Sequence, residues 1–326
     1  MRILVLGGSG FVGRAVADDA IARGFDVTVF NRGRRDPVPG ATLLIGDRLA
    51  PGGLAALDGH TWDAVVDTWS ADAAAVASAA SALAGRTGHY TYVSSRSVYH
   101  FDESGAAGRL TEDAPLVADD DPGYAGDKLR GERAAARTGG PVLLARAGLI
   151  LGPREDVGRL PWWLNRLARG GPTAAPGPRD LPLQYIDARD LAAFIVGAAA
   201  AGLAGPYNVV GESGQATMGS LLETAREVTG ARADLRWISP AVIAGAGVEE
   251  WTQLPIWLPP GPLHRFMHDG DVSKAIGAGL RCRPVRETVA DTWAWMRSLD
   301  GPPPQRSDRP PAGLPEQAEA TLLASA

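Results

Sequence analysis

A single cysteine, Cys282, stands in 326 residues. An intrachain disulfide and a four-thiolate zinc site are therefore both excluded, and a reducing cytoplasm is the natural compartment. Long apolar runs are missing too. The N-terminal "RILVL" is too short for a signal-peptide core and reads as a buried strand. The longest apolar stretch, beginning at Leu191, is too short and alanine-rich to span a bilayer, so it reads as a packed helix in a soluble protein. Nor does one charge sign dominate. A formal net charge of −5 argues against general binding to nucleic acid or a membrane surface, while local basic clusters remain free to hold a phosphate. No internal repeat is visible.

What is present is a rhythm. With 45% hydrophobic and 21% charged residues the chain has the balance of a folded protein. "RILVL", "DVTVF", "ATLLIGD", "DAVVDTW", "HYTYVSS" and "PVLLARA" are mostly continuous apolar runs of strand length, several separated by alanine-rich helical segments. Continuous apolar runs suit strands buried on both faces, so an α/β fold with a doubly wound parallel sheet is expected, its ligand beyond the C-terminal strand ends. After about Gly152 prolines and tryptophans become frequent and strands sparser. The expected division is a dinucleotide-binding domain over 1–152, a smaller C-terminal α/β substrate-binding lobe over 153–300 with about 183–211 returning to the main sheet, and a proline-rich tail over 301–326. The tail should be an extended linker followed by a short helix, either frayed or docked.

"LVLGGSGFVGRAV" sets Gly7, Gly8, Gly10 and Gly13 between the first strand and first helix. The spacing supplies a tight turn at Gly7 or Gly8, close backbone approach to a pyrophosphate at Gly10, and helix-to-strand packing at Gly13. With Ser9, Phe11 and Val12 it forms a candidate dinucleotide cradle at a helix N-terminus. A mononucleotide P-loop is excluded, since no Gly-Lys-Ser/Thr follows.

Roughly twenty residues beyond this loop, where NAD-preferring proteins carry an acid for the adenosine ribose, the chain reads Asn31-Arg32-Gly33-Arg34-Arg35. A planar guanidinium there pairs with a 2′-phosphate and stacks on adenine. NADP(H) is therefore the preferred cofactor, with NAD(H) the alternative; Arg32 is the first candidate, Arg35 the second. Thr68 at the end of the fourth strand borders the cofactor by position.

"YVSSRSVYH" puts Ser94 and Ser95 at the end of the fifth strand, and "GYAGDKLRGE" sets Tyr124 and Lys128 four apart on one helix face. With the glycine loop, "RAGLILGP" from Arg146, "QYIDARDLA" from Gln184 and "YNVVG" from Tyr207, the chain resembles the short-chain dehydrogenase/reductase superfamily, in its extended, epimerase-like branch. The resemblance implies a Rossmann-type domain in which Tyr124 is the general acid/base. It implies that Lys128 binds the nicotinamide ribose and favours the phenolate, and that Ser95 hydrogen-bonds the reacting oxygen. Tyr124, Lys128, Ser94, Asn31 and Asp47 would also border the cofactor, Asp47 as an adenine contact.

Departures narrow the expectation. Arg96 and Ser97 stand where sugar dehydratases of this family carry acids, so dehydration is not expected. The helix after the fourth strand has no asparagine to position the lysine through water. His264 and His268 lack a third ligand, so no metal is expected. Trp162, Trp163, Trp251 and Trp257 read as packing in the lobe that covers the substrate. The leading expectation is an NADP-dependent oxidoreductase of the EC 1.1.1 type, acting on a carbonyl/secondary-alcohol pair in a small molecule, with a homodimer as its candidate assembly. The alternatives are a nucleotide-sugar epimerase with tightly bound NAD, and a non-catalytic cofactor-sensing or RNA-binding relative.

Overall fold

The computed structural model describes residues 1–104 and 109–325. Seven parallel strands form the central sheet: β1 (Arg2–Leu6), β2 (Asp26–Asn31), β3 (Thr42–Ile45), β4 (Ala64–Asp67), β5 (Tyr90–Ser95), β6 (Val142–Ala147) and, from much later in the chain, Gly205–Val209. Their spatial order is that late strand, then β6, β5, β4, β1, β2 and β3. The fold is the expected Rossmann-like α/β arrangement. Winding reverses between β1 and β4, which opens a crevice at their C-terminal ends.

Burial explains why the strand sequences are unbroken apolar runs. In β1, Ile3 and Val5 enter the core on one sheet face, whereas Leu4 and Leu6 enter the core on the other, as a side-chain period of two requires. Helix α1 (Phe11–Ala22) contributes Val16 and Ala20 to the first face; α2 (Ala73–Ala82) contributes Val76 and Ala79 to the second. Helix α3 (Tyr124–Ala135) packs against α2.

The rest of the chain builds a second apolar cluster. Helix α4 (Arg159–Ala168) buries Leu160, Trp163, Leu164 and Leu167, spaced three and four apart on one face. Strand β7 (Leu149–Leu151) pairs with Tyr185–Asp187, and β8 (Gly171–Pro176) pairs with Ala233–Ile238. Helix α5 (Ala188–Ala200) leaves this lobe to pack on α1, and Gly205–Val209 then completes the main sheet beside β6. Helices α6 (Met218–Thr229), α7 (Pro240–Gly245), α8 (Pro262–His268), α9 (Ser273–Gly277) and α10 (Val285–Arg297) follow. Among the described residues no helix is long and apolar enough to cross a membrane.

The tail ends in α11 (Glu316–Ala324), which is docked. Leu314 and Leu322 join the second cluster, and the buried Glu319 carboxylate accepts both the Arg166 guanidinium (2.6 Å) and the Ala174 N–H (3.1 Å). Removing one partner of such a pair strands the other charge in a poorly solvated place. Glu319→Ala is therefore expected to lower unfolding free energy by about 3 kcal/mol, measured as a lower guanidinium midpoint at unchanged slope; Glu319→Gln should cost less.

Candidate functional site

Strand β1 delivers the chain to Gly7, whose φ of +91° lies in the left-handed region that favours glycine, and a Cβ there would collide with Thr68. At Gly13 a Cβ would run into the Gly7 carbonyl, so only glycine lets α1 start this close to the strand end. Gly10 caps α1 with no side-chain hydrogen bond, which leaves first-turn N–H groups directed at the crevice. Gly10, Phe11, Val12 and Gly13 line it. The cradle fits a dinucleotide pyrophosphate.

The basic turn is tied to this loop. Asn31 Nδ2 donates to Ser9 Oγ (3.2 Å) while its Oδ1 accepts the Gly33 N–H (2.7 Å), so Asn31 pins the two loops together. Arg35 reaches the Ser9 carbonyl (3.3 Å) and, more distantly, Asp156 (3.4 Å). Arg32, Arg34 and Arg35 rim an adjoining hollow of about 230 Å³ with Gly7, Ser9, Asp47 and Thr68. The Asp47 carboxylate accepts the Leu49 N–H (3.1 Å).

Beneath this end lies a polar cluster that sequence reasoning missed. Arg48 makes a bidentate pair with the fully buried Asp67 (2.7 Å for each bond) and also donates to the Ala75 carbonyl. The Tyr90 hydroxyl donates to Asp67 as well (2.7 Å). Burial alone would raise Asp67, but the Arg48 charge and hydrogen bonds outweigh it and hold the carboxylate below its ordinary range. The available signal was an aspartate closing the otherwise apolar run "AVVD".

Ser95 sits at the mouth of β5, where its Oγ accepts the Ser97 N–H (3.1 Å) and donates to Ser97 Oγ (3.1 Å). Tyr124 opens α3 and faces the crevice with 41% of its surface exposed. One turn on, Lys128 is buried. Its Nζ donates to the carbonyls of Trp69 (2.6 Å) and Val93 (2.7 Å) and lies 4.7 Å from the Tyr92 ring centre. Two carbonyls and a ring face thus orient the lysine directly, which answers how it is held without an asparagine on α2. Ser94 is turned away: its hydroxyl donates to Glu132 (2.6 Å), itself paired with Arg146, so any ligand contact from Ser94 falls to its main chain.

The crevice encloses about 810 Å³. Its far wall comes from the second lobe, through Asp156, Arg159, Trp251, Phe266 and Met267, and from Gln305 to Arg309 of the tail. The tail residues carried no expected role. Arg306 donates its N–H to the Asp156 carbonyl (2.9 Å) and pairs with Asp308, and the Arg309 guanidinium lies 5.7 Å from the Tyr124 ring centre. Arg96 is a buried strut, bonded to Gln184 and to the carbonyls of Phe266 and Met267.

His264 and His268 approach to 5.0 Å between ring centres, yet both are committed to the main chain. His268 Nδ1 accepts the Gln184 N–H, so its Nε2 carries the proton donated to the Ile256 carbonyl; His264 Nε2 meets the Pro182 carbonyl. Burial pushes His268 down to about 3. Among the described residues no group of three or more His, Cys, Asp or Glu could hold a metal.

Burial also lowers Lys128, to about 7, against the pull of Asp67 and Glu132. With a depressed value the ammonium holds below about pH 7 and the free amine above it. The chain has only one other lysine, Lys274, so ¹³C-lysine spectra are simple to read. One ε-carbon signal is expected to titrate near pH 7 and to vanish in Lys128→Met; two signals without an inflection between about pH 6 and 8 would contradict this environment.

Residues 3–81 match the model of the NAD dependent epimerase/dehydratase family. No curated protein sequence matches. Among solved structures the chain is similar to a candidate epimerase from Burkholderia cenocepacia J2315, at 24% identity and a TM-score of 0.70, over 91% of this chain and 98% of that one. It is similar to the Bordetella bronchiseptica enzyme WbmH in complex with NAD⁺, at 19% identity and 0.69, over 92% and 99%. It is similar also to the Thermus thermophilus UDP-glucose 4-epimerase in complex with NAD, at 19% and 0.68, over 92% and 100%. The shared fold and the match over the glycine-loop segment bear out the resemblance to the extended, epimerase-like branch of the short-chain dehydrogenase/reductase superfamily.

Proposed function

We propose that the chain is an NADP(H)-dependent oxidoreductase that interconverts a carbonyl and a secondary alcohol on a small molecule. The observation that carries this reading is Tyr124 open to the crevice one helical turn from a buried, carbonyl-anchored Lys128, beside Ser95 at the strand end. A bound nicotinamide would supply or accept the hydride. Tyr124 would pass a proton to or from the reacting oxygen, and Ser95 would turn its hydroxyl from Ser97 to the same oxygen. As an ammonium Lys128 has two donors committed to carbonyls, which leaves its third hydrogen for a ribose hydroxyl. Thr68 and Trp69 line the adjacent crevice.

The phosphate preference rests on the three arginines of the basic turn. Arg35's link to Asp156 is long and its side chain half exposed, so releasing it to a 2′-phosphate costs little.

Two outcomes test the reading. Tyr124→Phe should cut turnover of NADPH against a panel of carbonyl compounds by about 10²-fold or more while dinucleotide affinity stays within about twofold. Ordinary turnover in that variant would refute the acid/base role. Arg32→Ala should weaken NADPH binding by about tenfold, the worth of a charge-assisted hydrogen bond, and leave NADH binding nearly unchanged, as titration by nucleotide fluorescence would read.

A second reading, a nucleotide-sugar epimerase that retains NAD, is favoured by the NAD-bound structures of similar fold. It uses the same three side chains. Protein that purifies with stoichiometric NAD and consumes no NADPH would support the epimerase over the reductase.

A further inference from the structure

Two guanidinium groups line the crevice beside Tyr124 and feel each other's charge. Arg159 comes from the first turn of α4 and lies 5.3 Å over the Trp251 ring; Arg309 comes from the tail and lies over the Tyr124 ring. Both line the crevice. The nearest acid to Arg159, Glu155, has its oxygens occupied by the main-chain N–H groups of Arg159 (2.7 Å) and Leu160 (3.3 Å). Among the described residues neither Arg159 nor Arg309 forms an ion pair, whereas their neighbours Arg35 and Arg306 are bonded to Asp156 and Asp308.

We propose that Arg159 and Arg309 form an anion subsite, so that the molecule presented to Tyr124 carries a carboxylate or phosphoryl group close to its reacting carbon. The proposal rests on the reading of Tyr124 given above and names the substrate class for that site. Bringing like charges together in a partly dry crevice is unfavourable, and an anion between them turns the repulsion into attraction on both sides. Burial lowers Arg159, and the Arg309 charge acts in the same direction despite Glu155. A guanidinium fork suits the two oxygens of a carboxylate and those of a phosphate alike. The glycine loop and its helix N-terminus offer a separate place for the cofactor's own phosphates, so this pair is left over once a dinucleotide is accommodated.

The tail delivers half of the subsite. Gln305 and Arg306 lie against Gly158 and Asp156, in the loop that leads into α4, and the docked α11 anchors the segment from its other end. Arg309 is thereby held over the tyrosine by a strap tied down on both sides. Trp251, Phe266 and Met267 supply an apolar wall for the rest of the substrate.

The test is calorimetric titration of the full chain, saturated with NADPH so that the loop site is filled, using oxamate and methyl phosphate as probes and acetamide as the neutral control. One anion is expected to bind while acetamide does not; the tighter of the two decides between carboxylate and phosphoryl. Arg159→Met and Arg309→Met should each weaken the preferred anion by about tenfold or more, and Arg309→Glu should abolish binding, with NADPH affinity retained in all three. Arg309 is exposed on the strap, so its variants should fold normally. Absence of binding by both anions, or equal affinities in wild type and variants, would overturn the subsite. Loss of turnover in Tyr124→Phe is read independently, so failure of the subsite and failure of the acid/base assignment are distinguishable.

Discussion

A parallel sheet covered on both faces constrains everything else in this protein. Strands such as β1 and β4 have no solvent side along their middle, so after Arg2 their side chains are apolar until the aspartate that ends β4, and the polar chemistry of the crevice is displaced to the loops at their C-terminal edge. The winding reversal between β1 and β4 separates those loops and leaves a crevice there. The glycine cradle, Thr68, Ser95 and the N-terminus of α3 all converge on that edge because the strands that lead to them are parallel and adjacent.

Buried charge at the same edge is compensated by local partners. Asp67 is satisfied by Arg48 and Tyr90, Glu132 by Arg146 and Ser94, and Lys128 by two carbonyls and a ring face. Leaving any of these unpaired would be costly in a dry interior. Together they fix the ends of β4, β5 and β6, and hence the relative positions of Thr68, Ser95 and Tyr124. Lys128 differs from Asp67 and Glu132 in that its hydrogen bonds go to neutral carbonyls and not to an opposite charge, which is why burial moves it so far.

The second lobe and the tail close the crevice by different means. The lobe has its own apolar cluster, with Trp163 and Trp257 fully inside it. The tail has little core of its own and depends on the Arg166–Glu319 pair and on Leu314 and Leu322. Between its anchors it presents Arg306 and Arg309 to the site, so a segment whose composition suggests a plain linker becomes part of the site wall.

Periodicity and local chemistry were enough for the sequence to determine the strand runs, the glycine turn at Gly7 to Gly13, and the pairing of Tyr124 with Lys128 on one helix face. These are short-range features, set by residues a few positions apart. The absence of an acid after β2 was legible for the same reason. The tertiary structure alone decided that Asn31 pins Ser9, that Ser94 turns to Glu132, that Arg48 reaches Asp67, and that Trp69 and Val93 hold Lys128. It alone brought Arg309 to Tyr124 across 185 residues of chain, the difference of their positions. Long charged side chains choose partners by where the packed backbone leaves a carbonyl, a carboxylate or a ring face within reach. No spacing along the chain encodes that distance.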